Sequence, residues 1–201
     1  MARLILASAS QTRRDVLRGA GFDFDTQPAS GKNVDEGSIK DLYRSSGISA
    51  EETALYLARA KALDISRDNP DALVIGADQV LEQDGVMFDK PADRAAARRH
   101  LETFSGKTHR LVTAAVLFRG RDEIWRDESV PAMTVRPLSP EFIESYLDTV
   151  GDRVCDSVGA YQLEGMGAQL FERIEGDFFT ILGLPLLPLL AFLRDHGHIP
   201  S

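Results

Sequence analysis

The sequence predicts an α/β fold. Strand-like and helix-like patterns alternate along the chain, with no internal repeat and no low-complexity linker between them. The length, 201 residues, fits a single domain (1–201) at about 150 residues per domain. With 43% hydrophobic and 27% charged residues, such a chain can bury a core without metal or disulfide staples.

The elements follow in order. Arg3–Ala7 reads as a short buried strand running into the polar turn Ser8-Ala9-Ser10. Thr12–Ala20 sets Val16 and Leu17 on one helical face and closes at Gly19 and Gly21. Phe22–Gln27 alternates apolar and polar residues as a second strand does, and Lys32–Glu36 is a charged loop. Ser49-Ala50-Glu51-Glu52 spells a capping box. It opens a helix with Leu55, Ala58, Ala62 and Ile65 at spacings of three or four, ending near Asn69-Pro70. Ala72–Leu81 is a buried strand, turned by Gln83-Asp84-Gly85 into Val86–Phe88. Pro91–Phe104 is an Ala/Arg-rich helix that ends at Ser105-Gly106. Arg110–Arg119 and Glu123–Val135 form a hairpin around Gly120, and Ser139-Pro140 caps another helix. Gly151–Gly176 reads as ordered loops with short strands, and Leu184–His196 as the closing helix.

Charge and composition exclude several classes. Lysine and arginine number 23 against 31 acidic residues, a net charge of −8 that disfavours stable nucleic-acid or anionic-membrane binding. Cys155 is the only cysteine, so no internal disulfide forms; it reads as a buried small hydrophobe in a reducing compartment. Met1–Ala7 is far too short for a secretory signal, and Ile181–Leu193, which holds Pro185 and Pro188, falls short of the about 20 residues a bilayer span needs. A cytoplasmic protein is expected. His196 and His198 lack partners at metal-ligand spacing and read as a solvated tail.

Chemistry concentrates at a few positions. The turn after the first strand holds Ser8, Ser10, Arg13 and Arg14; hydroxyls, cations and helix N-terminal amides together suit a phosphate chain. The plainer alternative is that Ser10 only caps the helix and both arginines solvate its outer face. Asp78 lies inside an apolar strand, where an ionised carboxylate costs several kcal/mol unless it is paired, metal-bound or at the strand's end. Lys61 sits among Ala60, Ala62 and Leu63, so its stem is half buried or snorkels. Asp35-Glu36 and Lys90, between Asp89 and Pro91, occupy polar loops. Gln79 shares Asp78's pocket only if the strand ends or bends there, and Gly76 would permit a bend. Ser105-Gly106-Lys107-Thr108 imitates the end of a P-loop. The first glycine that a P-loop needs is Leu101, however, and the segment runs from helix to strand, the reverse order.

Seven blocks in order resemble the Maf-like nucleotide pyrophosphatases. They are Leu6 through Arg14 (LASASQTRR), Val34-Asp35-Glu36, Leu57 through Ala62 (LARAKA), Gly76 through Val80 (GADQV), and Asp89-Lys90-Pro91. Ser105 through His109 (SGKTH) and the pair Leu170–Asp177 and Leu182–Leu186 complete the set, which covers nearly the whole chain. Two positions depart from the pattern: Gln11 replaces the family's Pro and Thr12 its first Arg. Gln79, where another branch has Thr, resembles the branch acting on 7-methyl-GTP, although that branch's Ser-Pro-Trp is Ser10-Gln11-Thr12 here. Gly37–Gly47 is longer than the usual loop after the acidic pair.

The resemblance implies a single elongated, two-lobed Maf/ITPase-like domain with a mixed β-sheet and a central cleft. It implies hydrolysis of a nucleoside triphosphate, possibly a modified one, to monophosphate and diphosphate, a house-cleaning role in nucleotide metabolism. The alternative is a nucleotide-binding regulator of cell division without turnover. Catalytic candidates are Asp78, Glu36, Lys61 and Lys90; substrate-binding candidates are Ser8, Ser10, Thr12, Arg13, Gln79 and Glu164. Asp78 and Glu36 would hold a divalent cation, Mg²⁺ or Mn²⁺. A homodimer is a further implication.

Overall fold

The structure, a computed structural model, describes residues 3–29 and 34–200. Lys32 and Asn33 of the expected charged loop therefore lie outside the described residues, as do Met1 and Ala2 of the N-terminal apolar run. The chain divides into two compact units: residues 1–79, 112–129 and 177–201, and residues 80–111 and 130–176.

Strands alternate with helices as the pattern predicts. In chain order they are β1 (Leu4–Leu6), α1 (Gln11–Gly19), β2 (Asp25–Thr26), α2 (Glu36–Ser46), α3 (Ala50–Ser66), β3 (Leu73–Gln83), β4 (Val86–Phe88), α4 (Arg94–Phe104) and β5 (Thr108–Arg119). There follow β6 (Asp122–Ser129), β7 (Ala132–Val135), α5 (Pro140–Val150), two 3₁₀ turns, β8 (Phe171–Glu175), α6 (Phe178–Ile181) and α7 (Leu186–Asp195). The hydrogen-bonded strand order is β2-β1-β3-β5-β7-β8, with β4 on β3 and β6 on β5. The sheet is mixed: β1 runs parallel to β2 and β3, while β4, β6, β7 and β8 pair antiparallel. Among the described residues no helix is long and apolar enough to cross a membrane.

In the first unit, Leu4, Leu6, Leu73, Ile75 and Ala77 of the parallel strands pack with Leu17 of α1 and with Leu184, Leu189 and Leu193. This cluster fixes the C-terminal end of β1 and the first half of β3, where Ser8 and Asp78 follow the apolar residues. The Ser49–Glu52 capping box forms as read, each partner's side chain accepting from the other's backbone. In the second unit, Leu101 and Phe104 of α4 and Ile143, Tyr146 and Leu147 of α5 are buried. The β3–β4 turn places Asp84 and Gly85 at φ 53° and 79°, as a two-residue primed turn requires.

Seven readings change. Phe22–Gln27 yields only the two residues of β2, because Phe22 N–H closes on Leu17 O while the Phe22 and Phe24 rings pack on the core. The acidic pair is not simply loop: Asp35 is the N-cap of α2 and Glu36 its first residue. The stretch 37–47 is that helix and its C-cap, and none of the helix's residues is buried. Glu123–Val135 is two strands, broken at Pro131, which has no N–H for a ladder. Leu184–His196 shortens to α7, and a separate short helix, α6, precedes it. Cys155 is half-buried rather than buried, and desolvation followed by Asp152, Asp93 and Asp156 raises its pKa. His196, read as tail, caps α7 and stacks on Phe192.

Candidate active site

β3 and α3 of the first unit create the charged centre. A Cβ on Gly76 would lie 2.2 Å from Ala58 O and 2.7 Å from Ala62 Cβ, so α3 rests directly on the strand backbone. Lys61 lies on the same face of α3 as Ala58, and Asp78 lies two residues beyond Gly76 on the same face of β3. The close approach lets Lys61 Nζ donate to Asp78 Oδ1 at 2.6 Å. Glu36 Oε1 stands 2.9 Å from the same ammonium. The Lys61 and Asp78 side chains are 8% and 6% exposed, so Lys61 does not snorkel; Glu36 is 48% exposed. A buried pair like this costs desolvation on both members and is tolerated where geometry is good.

The turn after β1 supplies a second set. Ser10 Oγ accepts from Arg13 N–H and caps α1, so the capping alternative holds for Ser10. Arg13 is buried rather than solvating an outer face: Nε donates to Gly183 O at 2.8 Å, and Nη1 donates to Ala77 O at 2.9 Å and to Ser8 Oγ at 3.2 Å. Ser8 Oγ also accepts from Ser10 N–H, which leaves the hydroxyl proton of Ser8 to donate elsewhere. Nη2 of Arg13 makes no hydrogen bond among the described residues. Burial lowers the Arg13 pKa, opposed by the charges of Asp78 and then Glu36. Arg14 instead donates to Ala9 O and Gln11 Oε1, and Thr12 lies half-buried on the first turn of α1.

Gln79 points away from Asp78. β3 runs from Leu73 to Gln83 through Gly76, which serves close helix packing rather than a bend, and the alternation of the strand is kept. Gln79 Nε2 donates to Thr113 Oγ1 at 2.8 Å and to the carbonyls of Thr180 and Ile181, each at 3.2 Å. Lys90 and Glu164 belong to the second unit, where both are exposed. In that unit His109 of the SGKTH segment is buried, with Nε2 2.6 Å from Tyr161 Oη, and Gly106 takes φ 70° between α4 and β5.

The family described as Maf-like protein matches residues 3–196. The chain belongs to the Maf-like family. It is 51% identical over 197 residues to a 7-methyl-GTP pyrophosphatase of Mesorhizobium japonicum, covering 98% of each chain. It is 49% identical to a nucleoside triphosphate pyrophosphatase of Granulibacter bethesdensis, covering 96% of this chain and 97% of that one. A nucleoside triphosphate pyrophosphatase of Nitrobacter winogradskyi shares 52% over 96% of this chain and 93% of its own.

The donor set of this Maf-like chain fits a hard divalent cation in part. Asp78 Oδ2 is buried and accepts no hydrogen bond from the described residues. Oxygen donors of this kind suit Mg²⁺ or Mn²⁺. Among the described residues no group of three or more His, Cys, Asp or Glu side chains gathers to hold a metal, so Asp78 and Glu36 are an incomplete cage. An ion held there would draw its other ligands from water and phosphate, as Mg²⁺ commonly does. Reading along the Maf-like sequence does not single out Thr113 or Thr180, and it marks Gly183 only as part of the block Leu182–Leu186. Gly183 meets Arg13 across 170 positions, and no local pattern marks such a contact.

Proposed function

We propose that this Maf-like protein hydrolyses nucleoside triphosphates between the α and β phosphates, releasing monophosphate and pyrophosphate. The observation that carries the reading is the pairing of Lys61 with Asp78 and Glu36 beside the Arg13–Ser8 turn, all in one unit. Cations and free donors then lie beside carboxylates that still have open oxygens, which is what hydrolysis of a phosphoanhydride needs. The names of the relatives support the same activity and favour a methylated purine triphosphate over dTTP.

The chain's own groups divide the work. Ser8 Oγ–H and the Nη2 donors of Arg13 bind phosphate oxygens, and the third N–H of Lys61 faces the same charge. Asp78 Oδ2 accepts the proton of a water that attacks phosphorus as the Pα–O–Pβ bond breaks and pyrophosphate leaves. Glu36 orients that water from the first turn of α2. A divalent cation bound by Asp78 and Glu36 would neutralise developing phosphate charge. Lys90 and Glu164 enter the proposal by residue type alone, and Lys90→Ala and Glu164→Ala read their contributions.

The test is a screen of 7-methyl-GTP, GTP, UTP and dTTP with Mg²⁺ or Mn²⁺, reading pyrophosphate. Turnover that EDTA abolishes and excess metal restores is expected. Orthophosphate plus a nucleoside diphosphate as products would overturn the cleavage position, and no turnover of any triphosphate would overturn the activity.

A further inference from the structure

Residues 157–165 of the second unit form neither helix nor strand, yet three neighbouring elements hold them. Tyr146 Oη of α5 donates to Ala160 O at 3.2 Å, and His100 of α4 hydrogen-bonds the backbone of Val158. His109 of β5 sets its Nε2 2.6 Å from Tyr161 Oη. Tyr161 is also fixed at its backbone: Ser157 Oγ accepts from its N–H at 3.0 Å and donates to its carbonyl at 2.5 Å.

The loop is built around that ring. A Cβ on Gly159 would stand 2.1 Å from Tyr161 Cε1, so only glycine fits against it. Ala160 takes φ 58°, a left-handed backbone that a residue with a side chain adopts only under constraint. The Tyr161 ring meets Phe171 of β8 edge-on, with centroids 4.8 Å apart. Beyond the ring, a turn that Gly165 N–H closes on Gln162 O at 3.1 Å carries Glu164 into solvent.

Stability gives no reason for the polar pair. His109 is 0% exposed and Tyr161 7%, and His109 Nδ1 is buried without a partner among the described residues. Leucine and phenylalanine would fill the two places without desolvating polar atoms. What a hydrogen bond adds over apolar contact is direction, which fixes the ring and the backbone that carries it. Strained backbone that its surroundings over-determine collects at functional sites. The group this backbone presents is a carboxylate. It repels phosphate, so the parts of a nucleotide that suit Glu164 are the N–H donors of the base.

We propose that His109 and Tyr161 are positioning residues whose hydrogen bond sets the 157–167 loop, so that Glu164 at its turn meets the base of a nucleotide. The inference rests on the pyrophosphatase reading for what the turn meets, and on the second unit alone for its geometry.

The first test replaces both partners by apolar groups, Tyr161→Phe with His109→Leu, an exchange that leaves stability close to that of wild type. KM for 7-methyl-GTP should rise about tenfold with kcat changed by less than about twofold. Competitive inhibition by inorganic triphosphate, which has no base, should be unchanged. His109→Gln, whose amide can occupy the place of Nε2, should keep most of the wild-type KM. Adding Glu164→Ala to the apolar pair should raise KM little further. A wild-type KM, an additive loss, or an equal weakening of inorganic triphosphate would overturn the proposal. Tyr161→Phe alone, which removes a single oxygen, gives the same reading where the apolar pair does not fold.

The second test needs no turnover. Calorimetric titration with the α,β-methylene analogue of 7-methyl-GTP should show weaker binding to the apolar pair than to wild type. Equal affinities would overturn the proposal, and so would a wild-type protein that binds no analogue. Weakened binding in a protein that hydrolyses nothing would support the positioning role and overturn only the pyrophosphatase reading.

Discussion

Gly76 has no room for a side chain because the carbonyl of Ala58 occupies its place: an added Cβ would stand 2.2 Å from that oxygen. The contact is backbone against backbone, so neither side can yield by turning a rotamer. Gly76→Ala must push α3 off β3 and lengthen the Lys61–Asp78 hydrogen bond. Overpacking of this kind costs typically about 1–3 kcal/mol. We expect a loss at the upper end of that range in urea denaturation, with turnover falling in the fraction that stays folded. An unchanged midpoint would show that the helix can move away freely.

Lys61 and Asp78 should behave as one unit. Lys61→Met leaves a buried carboxylate without its cation, which costs about 3–5 kcal/mol when a buried pair is broken. Adding Asp78→Asn removes that charge and should recover most of the stability while leaving the protein inactive. Thermal denaturation of the two single variants and the double variant gives the coupling. Additive destabilisation would mean that the two groups do not interact as their 2.6 Å separation implies.

Removal of the α2 cap should act locally. Asp35 Oδ1 accepts from Ser38 N–H and Oδ2 from Ser38 Oγ, and Glu36 follows as the first helical residue. Asp35→Ala should loosen the first turn and lower kcat/KM a few-fold, with little change in the main thermal transition because α2 buries no residue. Asp35→Ser should restore activity. Equal losses in the two variants would separate Glu36 from the cap.

In the second unit His109 predicts an acid instability. Burial pushes its pKa from the usual 6.5 to about 4, and its Nδ1 is buried without a partner among the described residues. Between those two values the unfolded chain holds a proton that the folded chain does not. Stability is therefore full above about pH 6.5 and falls as pH drops toward 4, by up to ~3 kcal/mol. Urea midpoints for wild type and His109→Phe across that window should differ in slope, falling toward acid in wild type and staying flatter in the variant. A parallel dependence in the variant would assign the loss to other groups.

Much of the centre was legible because its signals were local. An aspartate inside an apolar strand, a glycine two residues before it and a lysine among alanines each follow from period and burial, and they meet. Glu36 was legible as an acid but not as a helical residue, because the apolar period of α2 is only Ile39, Leu42 and Tyr43 and begins three residues after it. The break at Pro131 was available from proline's missing N–H, yet the continuous alternation of Glu123–Val135 hid it. The contact of Arg13 with Gly183 and that of Gln79 with Thr180 join residues 170 and 101 positions apart. Only the packed first unit brings such residues together, so one strand's sequence could not tell which face Gln79 would serve.

The most direct test follows the γ phosphorus. 7-Methyl-GTP labelled at that atom, incubated with Mg²⁺ and either wild type or Asp78→Asn, is resolved into labelled pyrophosphate and labelled orthophosphate. The account predicts that wild type releases the label as pyrophosphate, and that a normally folded Asp78→Asn does so about 10²-fold more slowly or less. Label appearing as orthophosphate, or a folded Asp78→Asn protein that keeps the wild-type rate, would contradict it.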